Sequence, residues 1–306
     1  MIIKLTSCFI FVLFSSQFSA FSQTLGFQKE KEGVLLLEDD KPRYFYQAVT
    51  KSKNGEYPRA NYVHPLYGLQ GEILTEDFPD DHLHQRGIFW AWHQLYAEGT
   101  RIGNPWLSEG IVWDVQNIST EVDGKFAQLK SEILWKETAS EKAILKENLV
   151  ITYKRHNSDA YTLAFDIQLT ALLDGVAIGG SEDEKGYGGF SPRLKLPEDV
   201  VFISSTGKVE PHNLAVKAGP WVNLTGHFDP SSDASSGIVI MGEPQKLPNY
   251  QGWILRSSNS MQNMAFPGNN PVSIKKGESF TFRNQILVHR NLRTEEIEEY
   301  YKEFSD

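Results

Sequence analysis

Within seven residues, Asp81-His82-Leu83-His84-Gln85-Arg86-Gly87, the chain carries a carboxylate, two imidazoles and a guanidinium. An imidazole exchanges protons near pH 7, and an arginine beside it can hold a carboxylate, a ring hydroxyl or an oxyanion. In an extended segment His82, His84 and Arg86 stand two apart and project on one face. Asp81 points the other way unless the Phe78-Pro79-Asp80 turn reorients it. Glu72 and Asp81 are the nearest carboxylates able to complete an acid/base pair, so His82, His84, Arg86, Glu72 and Asp81 form the candidate catalytic set. Arg86 is expected to hold the charge that develops on a substrate oxygen.

Two other readings of these residues stand beside that one. The histidines can be a hydrogen-bonded pair under a loop, with Arg86 bound to backbone carbonyls at a sheet corner. They can also be two metal ligands awaiting a third, from His64, His93, Glu72 or His289, which spacing alone does not supply. Taken singly, His93 and His212 read as surface or core histidines. Three further segments are rich in glycine and aromatics: His64-Pro65-Leu66-Tyr67-Gly68, Glu184-Lys185-Gly186-Tyr187-Gly188-Gly189-Phe190-Ser191-Pro192-Arg193, and Gly219-Pro220-Trp221-Val222-Asn223. The Lys185 loop lacks the spacing of a phosphate-binding loop, so its glycines imply backbone that turns tightly or approaches a ligand. The candidate substrate-binding set is His64, Trp90, Trp92, Lys185, Tyr187, Arg193 and Trp221, with the tryptophans, Trp106 among them, offering ring faces.

The elements that would carry these residues are strands. In Tyr161-Thr162-Leu163-Ala164-Phe165-Asp166-Ile167-Gln168-Leu169-Thr170 the large apolar side chains fall on odd positions. Phe280, Phe282, Ile286 and Val288 repeat the pattern, and Leu149 to Tyr153, Val200 to Ile203 and Ile238 to Met241 are shorter β-rich runs. Asn157-Ser158-Asp159 and Asp123-Gly124-Lys125 read as hairpin turns. Only Thr294 to Phe304 reads as helix, with Thr294 as cap and Ile297, Tyr300, Tyr301 and Phe304 on one stripe. The expected fold is an all-β antiparallel sandwich over residues 23–290, closed by a short C-terminal helix in 291–306.

Composition bounds what such a sandwich can do. The net charge of −9 and the absence of a Lys/Arg cluster argue against nucleic acid as a partner. A single cysteine excludes a disulfide framework and a zinc site built from paired cysteines. Lys4 followed by the apolar run Cys8 to Phe14, then Ser19-Ala20-Phe21-Ser22, predicts a signal peptide over residues 1–22 cleaved before Gln23, and hence a periplasmic or secreted protein. Leu5-Thr6-Ser7-Cys8 makes a poor lipidation box, because most of the apolar stretch follows the cysteine. No other apolar run reaches the ~18 residues of a membrane span.

The run Asp81-His82-Leu83-His84-Gln85-Arg86-Gly87 resembles the Asp-His-Pro-His-His-Arg-Gly motif of DUF6807, a family of secreted bacterial proteins also labelled methane oxygenase. The resemblance continues through Arg59, His64-Pro65-Leu66-Tyr67, Lys185 to Phe190, Gly219-Pro220-Trp221-Val222 and the strand from Gly277-Glu278 to His289. It departs from the motif at Leu83 and Gln85. It implies a galactose-mutarotase-like supersandwich and an association with sugar metabolism. A membrane copper oxidase would need several transmembrane helices and a multi-histidine copper site, so the oxygenase label does not fit. The expected function is therefore acid/base chemistry on a sugar or oxidised glycoside, of epimerase, lyase or hydrolase type, with no cofactor and a divalent metal as a lesser alternative. A non-catalytic sandwich that binds a glycan is the alternative function.

Overall fold

The computed structural model describes residues 24–229, 232–258 and 261–306; the signal-peptide reading lies outside them. The period-two runs form two large antiparallel sheets. One has six strands in the order Leu25–Lys29, Gly33–Glu38, Lys41–Gln47, Tyr62–Leu66, Ile88–Trp92 and Gly188–Pro192. The other has nine, in the order Ile111–Asp123, Phe126–Glu137, Ala143–Asn157, Ala160–Ala171, Ser279–His289, Ser236–Gly242, Trp221–Gly226, Val201–Ser204 and Gly207–Lys208. Residues of both sheets enter one core: Tyr44, Val63, Trp90 and Phe190 from the first, with Leu149, Phe165, Ile240 and Ile286 from the second. The fold is an all-β sandwich.

In the Ala160–Ala171 strand Tyr161, Leu163, Phe165, Ile167 and Leu169 are all buried, so the odd-numbered face is the core face. Two of the runs read as short strands are longer, and the third, Val201–Ser204, is as short as expected. Leu149 to Tyr153 is the middle of Ala143–Asn157, which pairs with both neighbours and runs from the apolar Ala143-Ile144-Leu145 to the polar Lys154-Arg155-His156-Asn157. A buried carboxyl sits where the sheets meet. Glu147 accepts hydrogen bonds from Asn61 Nδ2 (2.9 Å), Trp90 Nε1 (3.0 Å) and Trp135 Nε1 (2.7 Å). Burial pushes its pKa up to about 7, against the pull of those three donors.

The helix Thr294–Ser305 covers the other face of the nine-stranded sheet, where Ile297 and Phe304 pack against Trp221, Val239, Met241 and Leu287. Thr294 is the first helical residue, not the cap. The Arg293 N–H at the cap position donates to Glu296 Oε2 (2.9 Å). Trp221 is fully buried under this helix, with Nε1 donating to Glu298 Oε2 (2.6 Å). Its predicted part in a substrate pocket is thereby corrected. Among the described residues no helix is long and apolar enough to cross a membrane.

Candidate functional site

Strand alternation decides which side chains of Ile88–Trp92 can meet a ligand. Ile88, Trp90 and Trp92 point into the core, so the rings predicted to stack on a substrate are enclosed. Trp90 Nε1 is held by Glu147, and Trp92 Nε1 donates to the Phe266 carbonyl (3.0 Å). Phe89 and Ala91 take the outer face of the six-stranded sheet, together with Tyr62, under Trp106 and Met261. Trp106 is itself only 3% exposed.

The motif segment is not extended, contrary to the sequence expectation. His82 N–H donates to the Pro79 carbonyl (3.0 Å) and Gln85 N–H to the His82 carbonyl (2.9 Å), making two successive turns. An antiparallel bridge between Asp77 and Arg86 closes the loop at its foot. Gly87 follows with φ +50°, and a Cβ there would lie 2.1 Å from the Val63 carbonyl oxygen, so only glycine lets the chain enter the sheet here. These turns send Arg86 inward and the histidines outward.

Arg86 is completely buried, with its guanidinium carbon over the Phe78 ring, 3.4 Å from the centroid. It pairs through Nε with Asp77 and donates from Nη1 to the carbonyls of Lys51 (3.2 Å) and Tyr57 (3.0 Å). The bond between its Nη2 and the Tyr62 hydroxyl uses a further donor. Arg86 is thus a loop anchor, not a group that meets a substrate oxygen. Asp77 is held below the usual carboxylate range: burial works against its charge, but Arg86 and Lys51 more than offset it.

A different arginine serves the exposed end of the loop. Arg193, 3% exposed, grips Asp81 with both terminal nitrogens (3.0 and 2.8 Å), Glu76 through Nε (2.6 Å) and Gln85 Oε1 (2.8 Å). Asp81 in turn bonds His82 Nδ1 at 2.7 Å, and the His82 ring is 42% exposed. Partial burial opposes the Asp81 charge, yet the bonds from Arg193 and His82 hold its pKa below the usual range. A carboxylate fixed on Nδ1 sets the tautomer and leaves Nε2 as the free acid/base atom. Arg193 was expected to touch substrate; its donors are taken up by the loop instead.

His84 stands edge-on to His82, with ring centroids 5.7 Å apart, and 6.2 Å from the Tyr57 ring. Burial, then the positive charges of His82, Arg59, His93 and Arg193, pushes its pKa down to about 3. It is a neutral imidazole at any ordinary pH. His93 stacks on Trp106 at 5.1 Å, and Trp106 stacks on Tyr187 at 5.7 Å. Burial brings His93 to about 4, against the carboxylates of Asp183 and Glu182. Tyr187 stays half-buried, with its hydroxyl accepting from Arg256 Nη2 (2.8 Å) and Lys185 Nζ 5.8 Å from its ring. The glycines beside it serve packing: the Asn263 side chain donates to the Gly188 and Phe190 carbonyls (3.0 and 3.1 Å), and a Cβ on Gly189 would lie 2.5 Å from the Phe266 ring.

Glu72, His64 and His289 lie apart from this cluster. Glu72 accepts from the Gln70 N–H (2.9 Å), and the charges acting on it are Asp229 and Arg290. It therefore does not pair with the histidines. His64 bonds Thr75 Oγ1 (2.9 Å), while His289 is buried against Asn223 (3.0 Å) on the nine-stranded sheet. Among the described residues no group of three or more His, Cys, Asp or Glu side chains has metal-binding spacing.

A family model, described as a family of unknown function, matches residues 14–302, nearly the whole chain. The chain belongs to the DUF6807 family. No curated protein matches it. In this family member the motif divides in two: Arg86 builds the loop, and Asp81, His82 and His84 face outward. Sequence reading missed Tyr57 and Arg256, which reach the site from segments with no motif character. It also set His93 aside, although Phe89, Ala91 and His93 share one parity and so one face.

Proposed function

We propose that this protein is an exported, carbohydrate-active enzyme in which His82 transfers a proton to or from a sugar or oxidised glycoside. The observation that supports it is the Asp81–His82 hydrogen bond, braced by Arg193 on the far side of the carboxylate. With Nδ1–H given to Asp81, the neutral Nε2 can accept a proton from a hydroxyl or from a carbon beside a carbonyl. The imidazolium that forms is stabilised by Asp81, and Arg193 keeps Asp81 ionised throughout. His84 stays neutral beside it, so it can orient a hydroxyl by hydrogen bonding, while its remaining N–H is too weak an acid to serve as the proton donor. The half-buried rings of Tyr57 and Tyr187 are the faces left for a sugar to lie against, since Trp90, Trp92, Trp106 and Trp221 are enclosed. Export rests on the leader-like residues 1–22 and implies a periplasmic or secreted site of action.

The test is product analysis of the protein with a panel of glycosides and 3-keto-glycosides, wild type against His82→Asn, each shown to be folded by thermal melt. Positioned proton transfer contributes about 10²–10⁴-fold in rate, so His82→Asn should lose that much turnover with KM little changed. Full turnover in His82→Asn would overturn the assignment. Saturable binding without turnover of any panel member would make the protein a glycan-binding module.

A further inference from the structure

On the outer face of the six-stranded sheet, beside Ile88–Trp92, Tyr62, Phe89 and Ala91 lie beneath Trp106 and Met261. Toward Leu25–Lys29 this face opens as a cleft of about 540 Å³. Its floor carries an apolar patch beside Gln47 and Pro65: Leu35 and Phe45 face each other across neighbouring strands, Tyr67 stands beside them, and all three are half-buried. Glu30, Lys31 and Glu32, from the turn between the first two strands, rise along the rim. Lys51 and His64 line the cleft too, and Lys51 binds Asp77 (2.9 Å), the carboxylate that anchors Arg86.

We infer that this cleft is a binding site for a neutral oligosaccharide, distinct from the histidine loop. Its volume falls in the range of small-molecule sites and suits two or three sugar rings. A pyranose offers an apolar C–H face and a rim of hydroxyls, which matches a floor of two rings and a leucine under a charged rim. Ionised carboxylates are pure acceptors, suited to hydroxyl donors. The Glu32 carboxylate has no side-chain partner among the described residues, and Glu30 accepts only a long bond from Gln28 (3.4 Å). Around the cleft Glu30 and Glu32 are matched by Lys31 and Lys51, two charges of each sign, so a phosphate or uronate gains no net attraction there. A lipid tail would need an apolar rim, which the charged turn denies it. The inference does not depend on the chemistry assigned to His82.

The experiment is calorimetric titration of the protein with hexasaccharides of cello-, xylo-, manno-, malto- and laminari-type, with hexagalacturonate as the anionic comparison. At least one neutral hexasaccharide should bind saturably. Phe45→Ala and Tyr67→Ala should each weaken it about three- to tenfold, the worth of one ring contact. Tyr67→Phe keeps the ring and should bind nearly as wild type, which guards against a misfolded alanine variant. The inference fails if no neutral hexasaccharide binds, if hexagalacturonate binds more tightly than all of them, or if His84→Ala abolishes binding that Phe45→Ala and Tyr67→Ala leave intact. None of these outcomes depends on turnover, so this site and the assignment to His82 stand or fall separately.

Discussion

Two arginine–carboxylate units lie at either end of one ten-residue loop, and they do opposite work. At the foot, Arg86 and Asp77 are sealed from water, with side-chain exposures of 0% and 6%. At the tip, Arg193 is enclosed but its partners Asp81 and Glu76 are 29% and 34% exposed, and Asp81 passes the interaction on to a histidine that water reaches. Ion pairing is common to both ends, so pairing alone does not mark a site. What separates them is whether the chain of bonds ends in a group that a ligand can touch. The motif arginine ends on backbone carbonyls and a buried tyrosine; the arginine 107 positions later, outside the motif, ends on an imidazole.

The sharpest way to break the comparison is Arg86→Met. It leaves Asp77 buried without its main partner, and should destabilise the fold by about 3–5 kcal/mol in denaturant unfolding, taking activity with it only through unfolding. A variant that melts like wild type but has lost turnover would return Arg86 to the catalytic set. The next effect is on pH dependence. Burial lowers His84 to about 3 and His64, His93 and His289 to about 4, so the unfolded chain takes up protons there before the folded one does. Their contribution is intact above pH ~6.5 and lost as the pH falls toward 4, each histidine costing at most about 1.4 kcal/mol per pH unit. Glu147 acts with the opposite sign. Its folded pKa is raised, so its contribution is full below pH ~4.5 and lost as the pH rises through about 7. Four groups against one predict a melting temperature that drops between pH 6.5 and 4; a flat profile would contradict the buried neutral histidines.

The smallest effect on stability belongs to the tip. Asp81→Asn should change unfolding by about 1 kcal/mol or less, because Glu76 still holds Arg193 and the site is partly hydrated. If the proposed chemistry is right, the same variant should lose about 10- to 100-fold in turnover, since His82 would keep its place but lose the charge that stabilises its imidazolium. Loss of stability comparable to Arg86→Met would mean the two ends are not different in kind.

Much of the fold is legible in the residues, because a strand with one wet face shows its period. Tyr161 to Thr170 alternates, and its odd positions are the core. The five residues Ile88-Phe89-Trp90-Ala91-Trp92 are apolar on both faces, so nothing local says that tryptophans face inward and Phe89 and Ala91 outward. The site was half legible. Asp81, His82 and His84 were found by residue type. Their geometry was not, because the turns at Pro79 and His82 replace the extended register on which Arg86 was grouped with them. Arg59 shows the limit most plainly. It is 1% exposed, donates to the carbonyls of Pro105 and Trp106, and lies 4.3 Å over Trp113, with no carboxylate in ion-pair range among the described residues. Those partners are about fifty residues away, and charged residues seldom take such positions.

Glu147 has a consequence for which fold the chain selects. Its three donors come from Asn61, just before Tyr62–Leu66, from Trp90 on the six-stranded sheet, and from Trp135 on the nine-stranded one. Apolar side chains are interchangeable, so two such faces could slide by two residues and bury nearly the same area. Sliding would strand a carboxyl and three N–H groups in the interior, each at a cost of about 1–3 kcal/mol. One residue thus acts as a key between the sheets, widening the energy gap between this pairing and every shifted alternative.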